Sequence, residues 1–509
     1  MRRCQRKRPL EGEASLAARQ GVALSGMVLH IIGSLGVPPL QEFFVSDTSF
    51  ASLALSPALL STLDSLGYHE MTPVQAQSLP PMLAGRDVMA QAKTGSGKTA
   101  AFGLALLSQL RVEAFSVQGL VLCPTRELAD QVAEELRRLA RGMPNVKVLT
   151  LCGGAPFGPQ LASLEHGAHI VVGTPGRVDE HLRKGSLTLG SLSTLVLDEA
   201  DRMLDMGFQT TIDDIISDTP ADRQTLLFSA TFPDEEASGG LAIMTRGVMR
   251  DPVSVKVEET HDATTIEQHF YDVANDDARF AALKQLLLAT RPTTSVVFCN
   301  TKRETQAVAD GLVDAGFSAV ALHGDLEQKD RDRLLVLFAN QSASILVATD
   351  VAARGLDIAQ LDAVFNYQIA RELDVHVHRV GRTGRAGASG IACTLVTPQE
   401  DYRLERLAEL LGEPLATEPL PKATNGSPFE PPMATLQLAG GKKDKLRPGD
   451  ILGALTSEGG LRGDQVGKIK VLARSAYVAV ARSAVQKAQA KLERDKLKGR
   501  AFRVRRIRH

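Results

Sequence analysis

The 509-residue sequence contains no tryptophan, and aromatic residues make up only 4% of it. Its five cysteines form no CxxC pair and show no spacing typical of a metal site. These absences argue against a disulfide framework, a zinc centre and a thiol-based active site, so we interpret the cysteines as reduced core thiols. With 44% hydrophobic and 23% charged residues, the composition predicts an α/β protein with aliphatic cores. The chain is too long for one ordinary core, which favours two or three domains.

The sequence also lacks a hydrophobic run that would cross a bilayer securely. Its apolar N-terminal stretch, residues 21–37, is interrupted by glycines, Ser25 and His30, and Arg19 separates it from the basic first ten residues. A secretory signal is the alternative interpretation of this outline. We predict instead that residues 1–45 form a poorly ordered extension, and that the protein is a cytoplasmic monomer with no membrane partner.

The net charge of −1 conceals an uneven distribution of charge. Residues 433–509 contain 19 lysines and arginines but only 6 acidic residues, so the rest of the chain is acidic overall. A basic C-terminal module joined to an acidic body predicts a segment that binds a polyanion, most simply a nucleic acid.

From about residue 46 the sequence alternates short apolar runs with helical patterns. In residues 126–142, Leu128, Val132, Leu136 and Leu139 fall on one helical face, and Gly142 is placed to cap the end of the helix. Buried strands are predicted in "GLVLCP", "AHIVVGTP", "STLVLDEA" and "QTLLFSAT". This alternation indicates a parallel sheet that places its ligands at the carboxyl ends of the strands.

A second series of the same kind begins near residue 265, with strands predicted in "TSVVFCNT", "SAVALHG", "SILVATD" and "AVFNYQ". Residues 413–432 hold six prolines, which predicts a semi-rigid linker without a folded element. The remaining residues, 433–509, show a βαββαβ order that resembles an RNA-recognition-motif fold.

The strongest chemical signal is "AQAKTGSGKTA", residues 90–100, which lies between an apolar run and a helical pattern. A glycine-rich loop in this position presents backbone N–H groups and a helix N-terminus to phosphate oxygens. Lys98 would reach the β- and γ-phosphates, and the Thr99 hydroxyl would bind Mg²⁺. Ala92 occupies the place of the usual first glycine.

Two acidic residues, Asp198 and Glu199, directly follow the apolar run "LVL" about a hundred residues after this loop. A phosphate loop requires a carboxylate on a neighbouring strand to hold Mg²⁺, and a second group to orient the attacking water. We assign the first role to Asp198 and the second to Glu199. Together with Lys98 they predict a nucleoside triphosphatase.

Five motifs, "AKTGSGKT", "PTRELA", "TPGR", "LDEADRMLDMGF" and "SAT", together resemble the motifs of DEAD-box RNA helicases, and the resemblance covers residues 48–410. It implies an α/β fold with two tandem RecA-like parallel-sheet domains, followed by a small α+β RRM-like domain. The implied boundaries are 46–255 and 263–412 for the RecA-like domains, 413–432 for the linker and 433–509 for the RRM-like domain.

The resemblance further implies that the protein binds ATP together with Mg²⁺. Gln75 would read the adenine edge, Phe50 would stack on the adenine ring, and Asp357 would contact the ribose. The implied phosphate and metal contacts come from Thr94, Gly95, Ser96, Gly97, Lys98, Thr99 and, for the metal through water, Asp198.

The second RecA-like domain is implied to complete the active site, because "HRVGRTGRAG" is similar to the motif that carries the family's arginine fingers. Arg382 and Arg385 would stabilise the negative charge that phosphoryl transfer develops. Hydrolysis should therefore require closure of the two domains, and closure should require RNA. The residues implied to couple hydrolysis to this movement are Asp201, Ser229 and Thr231.

RNA contacts in the first domain are implied for Arg126, Gly153, Gly154, Thr174 and Arg177. Such contacts would read the backbone and the 2′-OH of RNA and not its base sequence. The sequence departs from the family's usual Leu-Pro step at residues 369–370, which are Ile and Ala.

The C-terminal segment resembles the RNA-binding domain of the DbpA group of bacterial DEAD-box proteins. That resemblance implies binding to a hairpin in the peptidyl-transferase region of 23S rRNA within precursors of the large ribosomal subunit. Lys498, Arg500 and Arg503 supply positive charge, and only Tyr477 and Phe502 are present as stacking aromatics. A non-specific basic anchor is the alternative.

The combined reading is an ATP-dependent RNA helicase, an RNA-stimulated ATPase that separates short duplexes locally, with 23S rRNA as its target. Two alternatives stay open at this point: an ATP-gated RNA clamp or assembly scaffold with little unwinding, and a general RNA helicase with a non-specific tail. A DNA helicase is disfavoured because the motifs are those of the RNA family.

Overall fold

The computed structural model describes residues 48–92, 95–229, 245–257, 266–353, 361–384, 389–422 and 426–507. These residues form two seven-stranded parallel sheets and one four-stranded antiparallel sheet, which confirms the predicted fold class. Residues 1–45, predicted to be a poorly ordered extension, lie outside the described ranges. No helix within the described ranges is long and apolar enough to cross a membrane.

The first α/β domain contains the first of the parallel sheets. Its strands are β1 (Val88–Gln91), β2 (Gly119–Leu122), β3 (Val148–Leu151), β4 (Ile170–Gly173), β5 (Thr194–Asp198), β6 (Gln224–Ser229) and β7 (Val253–Lys256). Its helices are α1 (Pro57–Ser65), α2 (Pro73–Leu83), α3 (Lys98–Gln109), α4 (Arg126–Leu139), α5 (Phe157–Glu165), α6 (Pro175–Arg183), α7 (Ala200–Asp205) and α8 (Gln209–Ser217). The strand order is β3-β4-β2-β5-β6-β1-β7, and apolar clusters lie on both faces of the sheet. Strands covered on both faces can be apolar throughout, as β2 and β4 are.

In helix α4 the local sequence determines where the helix begins and which residues lie in its first turn. The Thr125 hydroxyl caps its N-terminus by accepting a hydrogen bond from Leu128 N at 3.3 Å, which places Arg126 in the first turn. The predicted apolar face is buried as expected. The prediction for Gly142 is wrong, because α4 ends at Leu139 and Ala140 is its C-cap. A Cβ atom on Gly142 would lie 2.7 Å from the Ala58 carbonyl oxygen, so this glycine permits close packing against α1.

The second α/β domain contains the other parallel sheet. Its strands are β8 (Ile266–Asp272), β9 (Ser295–Phe298), β10 (Ala319–Leu322), β11 (Ile345–Ala348), β12 (Ala363–Asn366), β13 (Gly390–Val396) and β14 (Thr417–Glu418). Its helices are α9 (Asp276–Thr290), α10 (Lys302–Asp314), α11 (Gln328–Ala339), α12 (Asp350–Ala353), α13 (Leu373–Val380) and α14 (Asp401–Leu411). The strand order is β10-β11-β9-β12-β13-β8-β14.

The proline-rich segment 413–432 is part of this second domain. Its residues Thr417 and Glu418 form strand β14, which pairs in parallel with β8, so the prediction that the segment contains no folded element is wrong. Strand β14 lies at the edge of the sheet, the place where proline-rich sequence is tolerated. Farther along, the ring of Phe429 meets Phe317 edge to face, with centroids 5.7 Å apart.

The C-terminal domain is a four-stranded antiparallel sheet with two helices. Its strands are β15 (Met433–Leu438), β16 (Val466–Val471), β17 (Ala476–Ala481) and β18 (Val504–Arg506), in the order β16-β17-β15-β18. Helices α15 (Pro448–Thr456) and α16 (Val485–Arg494) share one apolar cluster with the sheet. The predicted βαββαβ order is confirmed.

The sheet of the C-terminal domain also contacts the second α/β domain. Thr435 on β15 is fully buried and hydrogen-bonds Asn340 Nδ2 at 3.0 Å and Ser342 Oγ at 2.7 Å. Beside them, Tyr477 and Ile507 belong to one apolar cluster with residues of the second α/β domain. These contacts attach the C-terminal domain to the end of α11.

Candidate functional site

The described part of the glycine-rich loop leads directly into helix α3. Gly95 has a φ of 90° and Gly97 a φ of 94°, which lie in the left-handed region where glycine is favoured. Lys98 is the first residue of α3 and is buried, while Thr99 beside it is half-buried. The loop thus ends at the N-terminus of a twelve-residue helix, an arrangement that attracts phosphate groups.

Two residues that precede the glycine-rich loop in sequence, Thr72 and Gln75, form hydrogen bonds with it. Gln75 Nε2 donates to the carbonyl oxygen of Gly97 at 3.0 Å, and Thr72 Oγ1 donates to that of Ser96 at 2.7 Å. A Cβ atom on Gly97 would lie 2.5 Å from Gln75 Nε2, so this position requires glycine for close approach as well as for its φ. Phe50 is buried in an apolar cluster of the first α/β domain, and its ring contacts that of Tyr68 edge to face. The structure brings Gln75 to the loop, and the adenine contacts of both residues stay predictions.

The acidic residue predicted to bind Mg²⁺ lies opposite the loop lysine. Asp198 ends strand β5, and its Oδ1 atom is 3.9 Å from Lys98 Nζ. Burial raises the pKa of Asp198 to about 6, although Lys98 acts in the opposite direction. Within the described ranges, Asp198 Oδ1 is buried and accepts no hydrogen bond. A buried carboxylate oxygen without a hydrogen-bond donor suits a divalent cation, so these residues fit a Mg²⁺–nucleotide complex.

The next residue, Glu199, has a left-handed backbone conformation with a φ of 54°. A non-glycine residue adopts this conformation rarely, and such outliers concentrate at functional sites. Its carboxylate is 3.0 Å from Arg202 Nη1, and both side chains are buried. Our sequence reasoning missed Arg202, although its position three residues after Glu199 on a helix is the signal for such a pair.

Arg202 also lines a small cavity together with residues of the second α/β domain. Asp350, Arg379 and Arg382 belong to that lining, so the predicted arginine finger Arg382 faces the acidic motif across the interdomain cleft. Arg379, also missed from the sequence, is 1% exposed and binds both carboxylate oxygens of Asp350 at 2.6 and 2.7 Å. This bidentate pair holds the helix that leads to Arg382.

Four predicted site residues lie outside the described ranges: Thr94, Thr231, Asp357 and Arg385. Of the other two coupling residues, Ser229 ends β6 and its carbonyl oxygen accepts a hydrogen bond from Ala92 N at 3.0 Å. Asp201 lies in the first turn of α7, where its Oδ1 atom accepts from Arg202 N at 2.9 Å. Both residues are therefore next to the loop and the acidic motif.

The predicted RNA contacts of the first domain form one surface. Thr174 Oγ1 accepts a weak hydrogen bond from Gly153 N at 3.4 Å, and a Cβ atom on Gly154 would lie 3.6 Å from Arg126 Nη1. Arg177 donates to the Ala155 carbonyl oxygen at 2.9 Å. The structure thus brings Arg126, Gly153, Gly154, Thr174 and Arg177 together at the carboxyl edge of the sheet, and their contact with RNA stays a prediction.

The second α/β domain meets this surface through helix α11. Arg331 Nε donates to Glu127 Oε1 at 2.5 Å across the interface, and both side chains are largely buried. On the same face of α4, Asp130 interacts electrostatically with Lys470 of the C-terminal domain. Burial raises the pKa of Asp130, while Arg126 and Lys470 act in the opposite direction. All three domains therefore meet near the predicted RNA track.

The basic residues predicted to bind RNA in the C-terminal domain differ in their surroundings. Lys498 Nζ is 3.2 Å from Asp450 Oδ2, and Arg500 Nη1 is 3.8 Å from Asp444 Oδ1, whereas Arg503 is exposed. Of the two candidate stacking rings, Tyr477 is 6% exposed, whereas Phe502 is half-buried and packs against the core of its own domain. The described surface thus offers charge to RNA, whereas the ring of Tyr477 is covered.

Comparisons with known protein families divide the chain into the same three domains. The DEAD/DEAH box helicase family model matches residues 72–238, and the helicase conserved C-terminal domain matches residues 278–387. The DbpA RNA-binding domain matches residues 435–506.

Two curated relatives show how far the similarity extends. The ATP-dependent RNA helicase DbpA of Escherichia coli strain K12 is 54% identical over 459 residues, which cover 90% of this chain and 99% of that protein. The ATP-dependent RNA helicase CshA of Limosilactobacillus reuteri is 43% identical over 74% of this chain and 75% of its own length. Among solved structures, S. cerevisiae Dbp5 bound to RNA and ADP BeF3 is 29% identical, with a TM-score of 0.66 over 73% of this chain and 95% of that one.

Proposed function

The chain belongs to the DEAD-box ATP-dependent RNA helicases and carries a DbpA RNA-binding domain, and from this membership we propose that it remodels 23S rRNA during assembly of the large ribosomal subunit. The observation that best supports the underlying chemistry is the buried pair of Lys98 and Asp198 beside the phosphate loop. Such a pair suits a nucleotide phosphate chain with its metal ion better than it suits a structural ion pair, because Asp198 Oδ1 accepts no hydrogen bond from any residue that the structure describes.

The ATP site would use groups of both α/β domains. Lys98 and the N-terminus of α3 would hold the phosphates, with Thr99 and Asp198 as the residues for Mg²⁺. Bound Mg²⁺ would neutralise charge on the phosphate oxygens. Glu199 would accept a hydrogen bond from the attacking water and orient it, while Arg202 holds its carboxylate in place. The remaining proposed contacts of the nucleotide are those of Phe50, Gln75, Thr94, Gly95, Ser96, Gly97 and Asp357.

Hydrolysis would depend on the position of the second α/β domain. Arg382 and Arg385 would stabilise the charge on the transferred phosphoryl group only when their domain closes on the first. RNA on the surface around Arg126 and Arg177 would contact both domains, because Arg331 meets Glu127 at that surface. Binding of RNA would thus favour closure, with Asp201, Ser229 and Thr231 transmitting the change to the nucleotide.

Local unwinding follows from the same movement. Closure on one strand would bend it and displace its partner from a short duplex, and hydrolysis would reopen the domains. The enzyme would act as a monomer in the cytoplasm, on precursors of the large ribosomal subunit. The C-terminal domain would direct it to the peptidyl-transferase hairpin through a basic surface that includes Lys498, Arg500 and Arg503.

Glu199→Gln tests the hydrolytic role directly. The amide keeps the size of the side chain but removes its charge, so we expect steady-state ATP turnover to fall at least about a hundredfold while ATP and RNA binding change little. Turnover is measured with saturating RNA, and binding with a nonhydrolysable ATP analogue. Full ATPase activity in this variant would refute the assignment.

The RNA target is tested by ATPase activity at fixed salt without RNA, with poly(A) and with a 23S rRNA fragment that carries the peptidyl-transferase hairpin. We expect strong stimulation by the fragment and weak stimulation by poly(A). Equal stimulation by both RNAs would leave an RNA-dependent ATPase whose C-terminal domain is a non-specific anchor.

A further inference from the structure

A crevice of about 370 Å³ opens in the second α/β domain, away from the proposed ATP site. It lies where strands β9, β12 and β13 end, and its lining includes Asn300, Gln368 and Thr397 from the residues that follow them. Strand β9 connects to β10 on one side of the sheet, whereas β12 connects to β13 on the other. Crevices at such a reversal of strand order are the usual ligand sites of parallel sheets, and this volume falls in the range of small-molecule pockets.

The floor of the crevice is a hydrogen-bonded structural network. Arg279 is 1% exposed and donates to the carbonyl oxygens of Tyr367 and Leu395 at 2.7 and 3.0 Å, and also to Glu400. Glu304 accepts from Gln368 Nε2 at 2.6 Å. These buried charges are satisfied within the protein, so they shape the crevice without requiring a ligand.

The rim differs from the floor because its cation and its aromatic ring are exposed. Arg371 is exposed and, within the described residues, forms no hydrogen bond or ion pair. Tyr402 is 54% exposed, which is unusual for so large a ring, and Arg403 Nε donates to its hydroxyl at 2.8 Å. An exposed tyrosine on a rim that also carries two arginines offers a stacking surface near positive charge.

Three helices begin at the crevice. Asp276 at the start of α9, Thr301 at the N-cap of α10 and Tyr402 in the first turn of α14 all belong to its lining. Helix N-termini favour anions, but each of these carries an acidic residue in its first turn, so the positive charge at the rim comes from Arg371 and Arg403.

The crevice adjoins the catalytic cleft through one residue. Arg379 donates to Asn300 Oδ1 and to the Gln368 carbonyl oxygen, both at 2.8 Å, while its Nε and Nη2 atoms bind Asp350 in the cleft. Asn300 Nδ2 in turn donates to the carbonyl oxygen of Ile369, in the step where this chain departs from its family. The crevice is thus a separate site, with one buried arginine between it and the cleft.

We propose that this crevice binds a nucleotide unit, with the base stacked on Tyr402 and the phosphate held by Arg371 and Arg403. The unit is either one nucleotide of a bound RNA strand or a free mononucleotide, since both present the same base and phosphate. No bond is made or broken there.

The test compares two single charge reversals in the full-length protein. Arg371→Glu removes a rim cation, whereas Arg406→Glu makes the same change at an exposed position of α14 that does not line the crevice. We expect Arg371→Glu to weaken binding of a twelve-nucleotide oligo(A), measured with a nonhydrolysable ATP analogue, about threefold to tenfold. Loss of one phosphate contact should also reduce the slope of log K against log salt by about 0.7. Arg406→Glu should change both quantities little.

Tyr402→Ala supplies the second arm, because removal of a stacking ring should weaken the same complex about fivefold or more. To test whether the crevice binds a free mononucleotide, AMP is titrated into protein whose ATP site is filled with the ATP analogue. Arg371→Glu should abolish the binding of AMP. Loss of AMP binding with unchanged RNA affinity would assign the crevice to free mononucleotides. Equal behaviour of Arg371→Glu and Arg406→Glu in both arms would overturn the proposal. RNA-stimulated ATP turnover at saturating RNA reports separately on the proposed helicase function.

Discussion

The two α/β domains have the same sheet topology but present opposite charges to the cleft between them. Counted from the first strand of each domain, the strand order is identical, with the third strand at one edge and the seventh at the other. In the first domain the central strand β5 ends in Asp198 and is followed by Glu199, whereas the second domain contributes Arg379 and Arg382. One architecture therefore supplies the carboxylates and the phosphate loop in one copy, and the guanidinium groups in the other.

The difference explains why neither domain should hydrolyse ATP by itself. The first domain holds a lysine and two acids in a buried geometry, and burial raises the pKa of Asp198 to about 6. The second domain holds its arginines by pairing Arg379 with Asp350. Because charge stabilisation in phosphoryl transfer needs both sets, activity should follow the approach of the domains.

Arg382→Ala should have the largest effect, since it removes the cation that the second domain brings to the site. We expect RNA-stimulated kcat to fall about a thousandfold with little change in affinity for the ATP analogue. Arg406→Ala, on an exposed face of the same domain, is the control and should retain normal turnover. A mild effect of Arg382→Ala would mean that the charges of the first domain suffice.

The raised pKa of Asp198 in the first domain predicts that binding of the Mg²⁺–nucleotide complex depends on pH. Because the pKa of Asp198 is raised to about 6, a proton should compete with Mg²⁺ as the pH falls through this value. Affinity for the Mg²⁺–nucleotide complex should drop about fivefold between pH 6 and pH 5. In the ligand-free protein the sign is opposite: the raised pKa makes the ionised form less stable, so the contribution of Asp198 to stability declines as the pH rises from about 4 to about 6.

Asp198→Asn is the control for this titration, because an amide cannot lose a proton in this range. Its weakened affinity should be independent of pH between 5 and 7. If the wild-type protein showed the same flat profile, the buried carboxylate would not be the group that binds the metal.

Substitutions at the contact between Glu127 and Arg331 test whether the two α/β domains are coupled through the predicted RNA-binding surface. Arg331→Glu should place two like charges against each other and lower the RNA-stimulated kcat/KM about tenfold. The exchanged pair, Glu127→Arg with Arg331→Glu, should recover part of the loss. Additive losses in the double variant would show that the two side chains act independently.

The smallest effect is expected where the C-terminal domain joins the second α/β domain. Thr435→Val removes the hydroxyl that forms hydrogen bonds with Asn340 and Ser342. The buried Asn340 amide and the buried Ser342 hydroxyl each lose this hydrogen bond. The free energy of unfolding should fall by about 1–3 kcal/mol in a denaturant titration. Thr435→Ser keeps the hydroxyl and should lose less; if both variants lost the same amount, the hydroxyl would not be the group that stabilises this contact.

The sequence predicted those elements whose pattern is set locally. Strands β2, β4, β5 and β6 and helix α4 were found because an apolar run or a single apolar face defines each of them. Strand β8 was missed because most of its side chains are at least partly exposed, so it shows no continuous apolar run. Strand β14 was missed because its two residues lie among prolines and become a strand only by pairing with β8.

For the candidate site, motif spacing placed Lys98, Asp198 and Glu199 correctly at one sheet edge, because parallel strands bring their carboxyl ends together. Arg202 and Arg379 were missed, since their partners and burial depend on packing between elements. The same limit applied to Tyr477, whose ring is covered by the second α/β domain. Contacts of this kind follow from domain arrangement, which local patterns do not encode.

The central claim, that RNA and ATP together close the two α/β domains, is tested most directly by the distance between fluorophores on each domain. The described native cysteines are buried, so labels can be placed at Ala221→Cys and Val313→Cys, both exposed positions, after Cys4 is replaced by serine. We predict that energy transfer rises only when the ATP analogue and RNA are both present. Transfer that was equally high without RNA would contradict the account.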